Sequence, residues 1–440
     1  MNTQRTLSII IPYIVLAAIF AVLASAASAG FAAAGESSAL AAAKQLACGG
    51  TFYAYDWGAA ALYAPLLQPV FMAASFLGGG NDGIFYLMRV LFVGVSFIVA
   101  LVGYRVLSQH REPLFALLAS AAFLLAACLL RDVFGVYDIA LDAAFLALVL
   151  RCCIIEQLAA DSGEATGYGR VLVPVLAGLA GFVALLFSFW AAIILLIVFA
   201  ASLACAARAK DTARLAQQAW IAAGFVLGLA VYLIVVLGLA EPAQVFGALT
   251  AALGSSVCES LSYASPAQLV CAAVLAVAVL AVLALNSAHV ANRMQEQASR
   301  ISSIQNAFIG IAAFVLVIAV LCPQLAALYS DPHIEYGPAK ELHCTQDELS
   351  AYADAYTIVS DTADDGSVFI DDLSSSNMWM YLLFSGLRCD DAPEWQMIVQ
   401  SFASGSQDAN AQIAGYGMVA SSGACQLYKR AHEIGAISAG

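Results

Sequence analysis

The side chains able to do chemistry stand out because the rest of the chain is so apolar. Glu36 follows the first long apolar run. Gly49-Gly50, Tyr53 and Tyr55-Asp56-Trp57 come next, then Pro65 and Pro69 within an apolar stretch. A glycine-rich turn, Gly78-Gly79-Gly80-Asn81-Asp82-Gly83, leads to Arg89 at the head of the next run. A second acidic pair, Asp138 and Asp142, opens a later run, with Arg131 just ahead of it. Taken singly, a loop acid is solvated and an arginine beside a membrane is an interfacial anchor. Asp142 is different, because an ionisable group one turn into an apolar span is costly and marks function by default. Carboxylates and an arginine at one depth on one side suit group transfer from a lipid phosphate. A carboxylate takes the proton of the acceptor hydroxyl as that oxygen attacks the sugar carbon. A guanidinium holds the departing phosphate bidentately and neutralises its growing charge.

The elements that position these groups are membrane spans. Of the 440 residues, 62% are hydrophobic and 11% charged, with mean hydropathy +0.87. A soluble domain carries about 25% charge, so this composition excludes a water-soluble globule. A span needs about 20 mostly apolar residues. Nine such runs are expected, near 7–28, 86–104, 113–130, 139–157, 172–188, 190–207, 220–240, 269–288 and 307–327. The stretch 171–207 would be about 55 Å long as one helix, so it reads as a tight helical hairpin.

The positive-inside rule orients the spans. With the N-terminus cytoplasmic, Arg5, Arg105, Arg111, Arg151, Arg170, Arg208, Lys210, Arg214, Arg293 and Arg300 all fall inside. Outside, ahead of the C-terminal region, are only Lys44, Arg89 and Arg131. The apolar stretch Ala59–Leu77 would break this pattern as a tenth span, so it is expected as a helix lying on the outer membrane surface. Ala27-Ser28-Ala29 offers a signal-peptidase-like site, but the preceding run is longer than a usual signal core, and a retained first span is expected.

The net charge of −13 resides largely at the C-terminus, where residues 329–440 hold 16 of the 30 acids and 4 of the 17 basic residues. Without basic patches, nucleic acid is excluded as a partner. The expected architecture is therefore an α-helical polytopic membrane module, residues 1–328, with a first outer loop at 35–85. A small extracytoplasmic α/β domain follows at 329–440. In that domain Thr345-Gln346-Asp347-Glu348 predicts a capped helix and Asp364-Asp365-Gly366 a turn into a strand at 367–371. Ser374-Ser375-Ser376 could cap a helix through Phe384, and 416–420 with 424–429 predict a closing hairpin. Of 11 cysteines, Cys48, Cys258, Cys344, Cys389 and Cys425 fall outside, where disulfides form. No cofactor is required by any motif. A divalent metal at His333, Glu335, Glu341 and His343 is the weaker reading, since no zinc-ligand spacing occurs.

The order of these features resembles a known family. An acid after span one, then "CGGTFYAYDWGAAALYAPLLQP", a glycine turn and "FYLMRVLFV" are similar to the GT-C superfamily of polyprenyl-phosphate-sugar-dependent glycosyltransferases. The branch most resembled holds the protein O-mannosyltransferases and the lipid A aminoarabinose transferase. "YDIALDAAFLALVL" resembles the family's second acidic motif. The resemblance covers residues 7–157, and the remainder by topology. It implies an inverting, outward-facing active site and a polyprenyl-phosphate-linked sugar as donor. Carried over, Glu36 matches the acid of the first-loop motif and so the catalytic base, although Gly35 stands where the family has a second acid. Asp138 or Asp142 matches the second motif, and Arg89 the arginine opening span two. Tyr55, Asp56 and Arg131 complete the expected substrate contacts. Two other readings remain: a transporter or flippase, and a non-catalytic cell-envelope assembly protein. Spans five to nine carry no Asp, Glu, Lys, Arg or His in their interiors, which disfavours an ion-coupled pathway.

Overall fold

The computed structural model describes residues 3–32, 34–49, 60–78, 80–110, 113–129, 138–159, 169–262, 326, 330–362, 368–371, 375–384, 395–399, 416–422 and 425–430. The described chain is dominated by helices: α1 (Thr3–Ala26), α2 (Ala34–Ala47), α3 (Ala60–Gly78), α4 (Ile84–His110), α5 (Pro113–Leu129), α6 (Asp138–Ala159), α7 (Gly169–Phe187), α8 (Phe189–Arg208), α9 (Thr212–Leu237) and α10 (Pro242–Ser262). Within α3, α4, α7, α8 and α9 lie five segments long and apolar enough to cross a membrane. α1 and α5 contain shorter apolar segments, Ile10–Ala26 and Pro113–Leu125. The expected spans at 269–288 and 307–327 lie outside the described residues.

Two compact units divide the chain. The first comprises 1–27, 90–233 and 257–326. Here α1 packs on α5, and Tyr13 meets Tyr104 edge-to-face at 5.3 Å while Phe20 stacks on Phe97 at 4.7 Å. α6 packs against α7, and α7 against α8. The expected hairpin breaks at Ser188, whose backbone is extended and whose hydroxyl accepts from the Ala191 N–H to cap α8. One serine in an apolar run is thus the polar apex, because the N-terminal amides of a helix need acceptors. α7 and α9 approach through glycines: a Cβ on Gly178 would fall 2.0 Å from the Ile221 carbonyl oxygen, and one on Gly224 2.2 Å from that of Val175. Ile194, Leu196, Ile197 and Val226 remain about 60% exposed. Exposed apolar residues of this kind fit helices able to lie against lipid or another protein surface.

The second unit comprises 28–89, 234–256 and 327–440. Here α2 packs on α3, and α3 coincides with the helix expected at Ala59–Leu77. The first half of α3 is buried through Leu67, whereas Met72, Phe76 and Leu77 are exposed. α2 also packs on a 3-10 helix, Ser375–Leu382. A four-stranded sheet has the order β1-β2-β4-β3, with β1 Val368–Asp371, β2 Trp395–Val399, β3 Tyr416–Ser422 and β4 Cys425–Arg430. β1 and β2 run parallel, and the other pairs antiparallel, with a bulge between Met418 and Ala420. The capped helix, Gln346–Thr362, lies on β3 and β4. Its capping box closes as the sequence predicts: the Thr345 N–H and hydroxyl donate to Glu348 Oε2 at 2.9 Å, and the Glu348 N–H returns to Thr345 Oγ1 at 3.4 Å. Neither α2, α10 nor the central strand β2 was expected from the sequence.

Candidate functional site

Where the chain leaves α1 it runs through Ser28–Phe31 without helical hydrogen bonding, and Gly30 takes φ +77°. Four successive carbonyls there need partners. Ser28 O accepts from the His343 N–H at 2.7 Å. Ala29 O and Gly30 O accept from Arg89 Nη1 at 3.2 and 3.0 Å, and Phe31 O from Arg89 Nη2 at 3.2 Å. Arg89, in the second turn of α4, is wholly buried. Its Nε and Nη2 donate to Glu36 Oε1 and Oε2, each at 2.9 Å. Glu36 lies in the first turn of α2, where a carboxylate also complements the helix dipole. Two residues 53 apart therefore form a buried bidentate ion pair.

Both expected site residues are held by partners within the protein. A guanidinium has five N–H hydrogens, and here five acceptors of the protein itself receive them. Arg89 thus ties the chain exit of α1 to α2 and α4. Glu36, expected as the catalytic base of the first outer loop, sits on a helix with both oxygens held by Arg89.

Asp142 belongs to the first unit. Four residues into α6, it is 3% exposed, and its Oδ2 accepts from Ser96 Oγ of α4 at 2.9 Å. Its Oδ1 has no hydrogen-bond partner among the described residues. A buried oxygen left in that state is costly, and such groups call for a specific explanation. Asp138 is the first residue of α6. Tyr55, Asp56 and Arg131 lie outside the described residues. Of the expected constellation, then, Glu36 and Arg89 meet in one unit, while Asp142 pairs with Ser96 in the other.

The sequence reading missed several participants. Lys44, counted only as an outer charge, is 2% exposed. Its ammonium donates to the carbonyls of Tyr381, Leu382 and Phe384, at 3.4 and 3.5 Å for the first two. A cation there offsets the dipole at the end of the 3-10 helix. Ser96 gave no signal, being one hydroxyl in an apolar run. The glycine turn is also tied down, since Gly83 (φ +66°) donates its N–H to Gly337 O at 2.9 Å and the Phe85 N–H donates to Pro338 O at 3.3 Å.

The weaker metal reading finds no support among the described residues, where no group of three or more His, Cys, Asp or Glu side chains could hold an ion. His333 and His343 instead form an antiparallel backbone bridge with ring centroids 5.9 Å apart. Cys344 and Cys425 are buried free thiols, each pushed up to about 11, Cys344 by burial and then Glu348 and Asp331, Cys425 by burial and then Asp354. Cys48 is also free, and exposed.

Fold and site together define a helical, membrane-capable protein with a small four-stranded α/β module and two separately held buried carboxylates. Comparison with protein families, curated proteins and solved structures finds no match to this chain.

Proposed function

We propose that this chain is an integral-membrane glycosyltransferase of GT-C type, moving a sugar from a polyprenyl-phosphate donor to an extracytoplasmic acceptor with inversion. In this reading the N-terminus is cytoplasmic, nine helices span the bilayer, α3 lies at the outer surface and the α/β module faces outward. The observation that carries it is Asp142, a carboxylate buried in an apolar helix with one oxygen fixed by Ser96 and the other without a hydrogen-bond partner among the described residues. A base needs that arrangement: orientation from one side, and a free lone pair for the incoming hydroxyl. The Asp142 oxygen takes the acceptor proton, the acceptor oxygen bonds to the anomeric carbon, and the carbon–phosphate-oxygen bond breaks to release polyprenyl phosphate. Glu36 and Arg89 act as positioning residues, which moves the role of base from Glu36 to Asp142.

The test is transfer from radiolabelled polyprenyl-phosphate hexoses and pentoses in proteoliposomes of the full chain, with envelope glycans, lipids and proteins as acceptors. Asp142→Asn is expected to lower transfer by about 100-fold or more while the protein stays monodisperse. Undiminished transfer would remove Asp142 from the chemistry. The saturation of Arg89 favours a second reading, a non-catalytic cell-envelope assembly protein, and absence of transfer from every donor in the wild type would favour it.

A further inference from the structure

Within the first unit, α6, α7, α8 and α9 line a half-open cavity of about 390 Å³, inside the usual range of ligand sites, about 300–1,000 Å³. Its walls are apolar, with Leu196, Phe199 and Phe225 among them, and Arg151 is the single charged residue lining it. Arg151 Nη2 donates to Gln218 Oε1 at 3.3 Å. The two α7 glycines in its lining play different parts. Gly178 brings α7 onto the backbone of α9, whereas a Cβ on Gly181 would find only Leu195 Cδ1, at 3.9 Å.

The cavity has a polar end. α7 and α9 run parallel, because Val175 meets Gly224 and Phe182 meets Gly228. The starts of both helices therefore share an end, which also holds the α8–α9 turn. Arg170, Arg208, Lys210 and Arg214 are exposed there, Arg214 paired with Asp211 at 3.0 Å, and the Arg151–Gln218 bond joins α6 to the same end. Trp220, one turn further along α9, is 43% exposed, as interfacial tryptophans are. The positive-inside rule makes this end cytoplasmic.

We propose that this cavity binds an anionic phospholipid of the cytoplasmic leaflet, its acyl chain among α6–α9 and its phosphate at Arg151. Basic pockets between spans on the cytoplasmic side recognise anionic headgroups in this way, and the apolar depth behind Arg151 suits a chain rather than a polar solute. The site stands apart from the glycosyl-transfer reading, which concerns the opposite membrane face.

The experiment is native mass spectrometry of the full chain released from nanodiscs of equimolar phosphatidylglycerol and phosphatidylcholine. Wild-type protein is expected to carry phosphatidylglycerol in preference. Arg151→Gln is expected to cut that enrichment about tenfold, the scale of one charge-assisted hydrogen bond, and Arg151→Lys to keep part of it. Gly181→Leu, which fills the cavity, is expected to shed the lipid with Arg151 intact. Equal retention of the two lipids by wild type, or enrichment unchanged in both Arg151→Gln and Gly181→Leu, overturns the proposal. So does stronger retention of undecaprenyl phosphate than of phosphatidylglycerol when both are offered. If a variant is not monodisperse, wild type decides through a phosphatidylglycerol carrying a diazirine in its acyl chain. Adducts on Leu196, Phe199 or Phe225 support the site, and adducts confined elsewhere overturn it.

Discussion

Removing the Glu36 carboxylate would leave Arg89 buried against three backbone carbonyls with its counter-charge gone. Breaking one side of a buried pair costs about 3–5 kcal/mol, because the remaining charge keeps its desolvation penalty. Glu36→Gln is therefore expected to lower the thermal midpoint of the purified chain in detergent, and its yield, whatever happens to activity. A double-mutant cycle with Arg89→Gln should give a coupling of about 0.5–3 kcal/mol. An unmoved midpoint for Glu36→Gln, with strictly additive effects, would deny the pair its structural role. The sequence placed an acid and an arginine on one side of a membrane and could go no further. That the guanidinium is consumed by Ala29, Gly30 and Phe31 depends on where the chain leaves α1, which no residue type encodes.

Elements were legible where local chemistry fixes them. The Thr345–Glu348 box satisfies its own helix start within four residues, so it reads from sequence and closes as read. The hairpin of β3 and β4 is similarly local. α2 was missed because its 14 residues, rich in Ala and Ser, carry too little apolar periodicity to stand out. β2 was missed because its five residues gain their identity from lying between β1 and β4. Helix packing gives a sharp contrast between two glycines. Gly178 has no room for a Cβ, whereas nothing lies within 4 Å of one on Gly94. Gly178→Ala is expected to destabilise by about 1–3 kcal/mol through overpacking. Gly94→Ala should be neutral or stabilising by up to about 1 kcal/mol, through helix propensity. Thermal unfolding of the two variants side by side checks this, and equal midpoints would show that α7 and α9 do not meet so closely.

At the scale of the molecule, the proposed orientation puts the basic turn at Lys210 inside and the module at 329–440 outside. A protease site inserted ahead of Thr345 is expected to be cut in intact cells, and one inserted at Lys210 only after lysis. The reverse pattern would invert the topology and move the lipid site to the outer leaflet. The sequence by itself determined that the chain is a membrane protein, where several of its helices run and which regions carry charge. Those properties follow from transfer free energy and local capping, which each segment expresses alone. Only the tertiary structure decided the partners of the polar groups: Arg89 with Glu36 and three carbonyls, Asp142 with Ser96, Lys44 with the end of a 3-10 helix. In apolar surroundings a polar side chain takes whichever acceptor packing brings within about 3 Å. That proximity is a property of the folded whole.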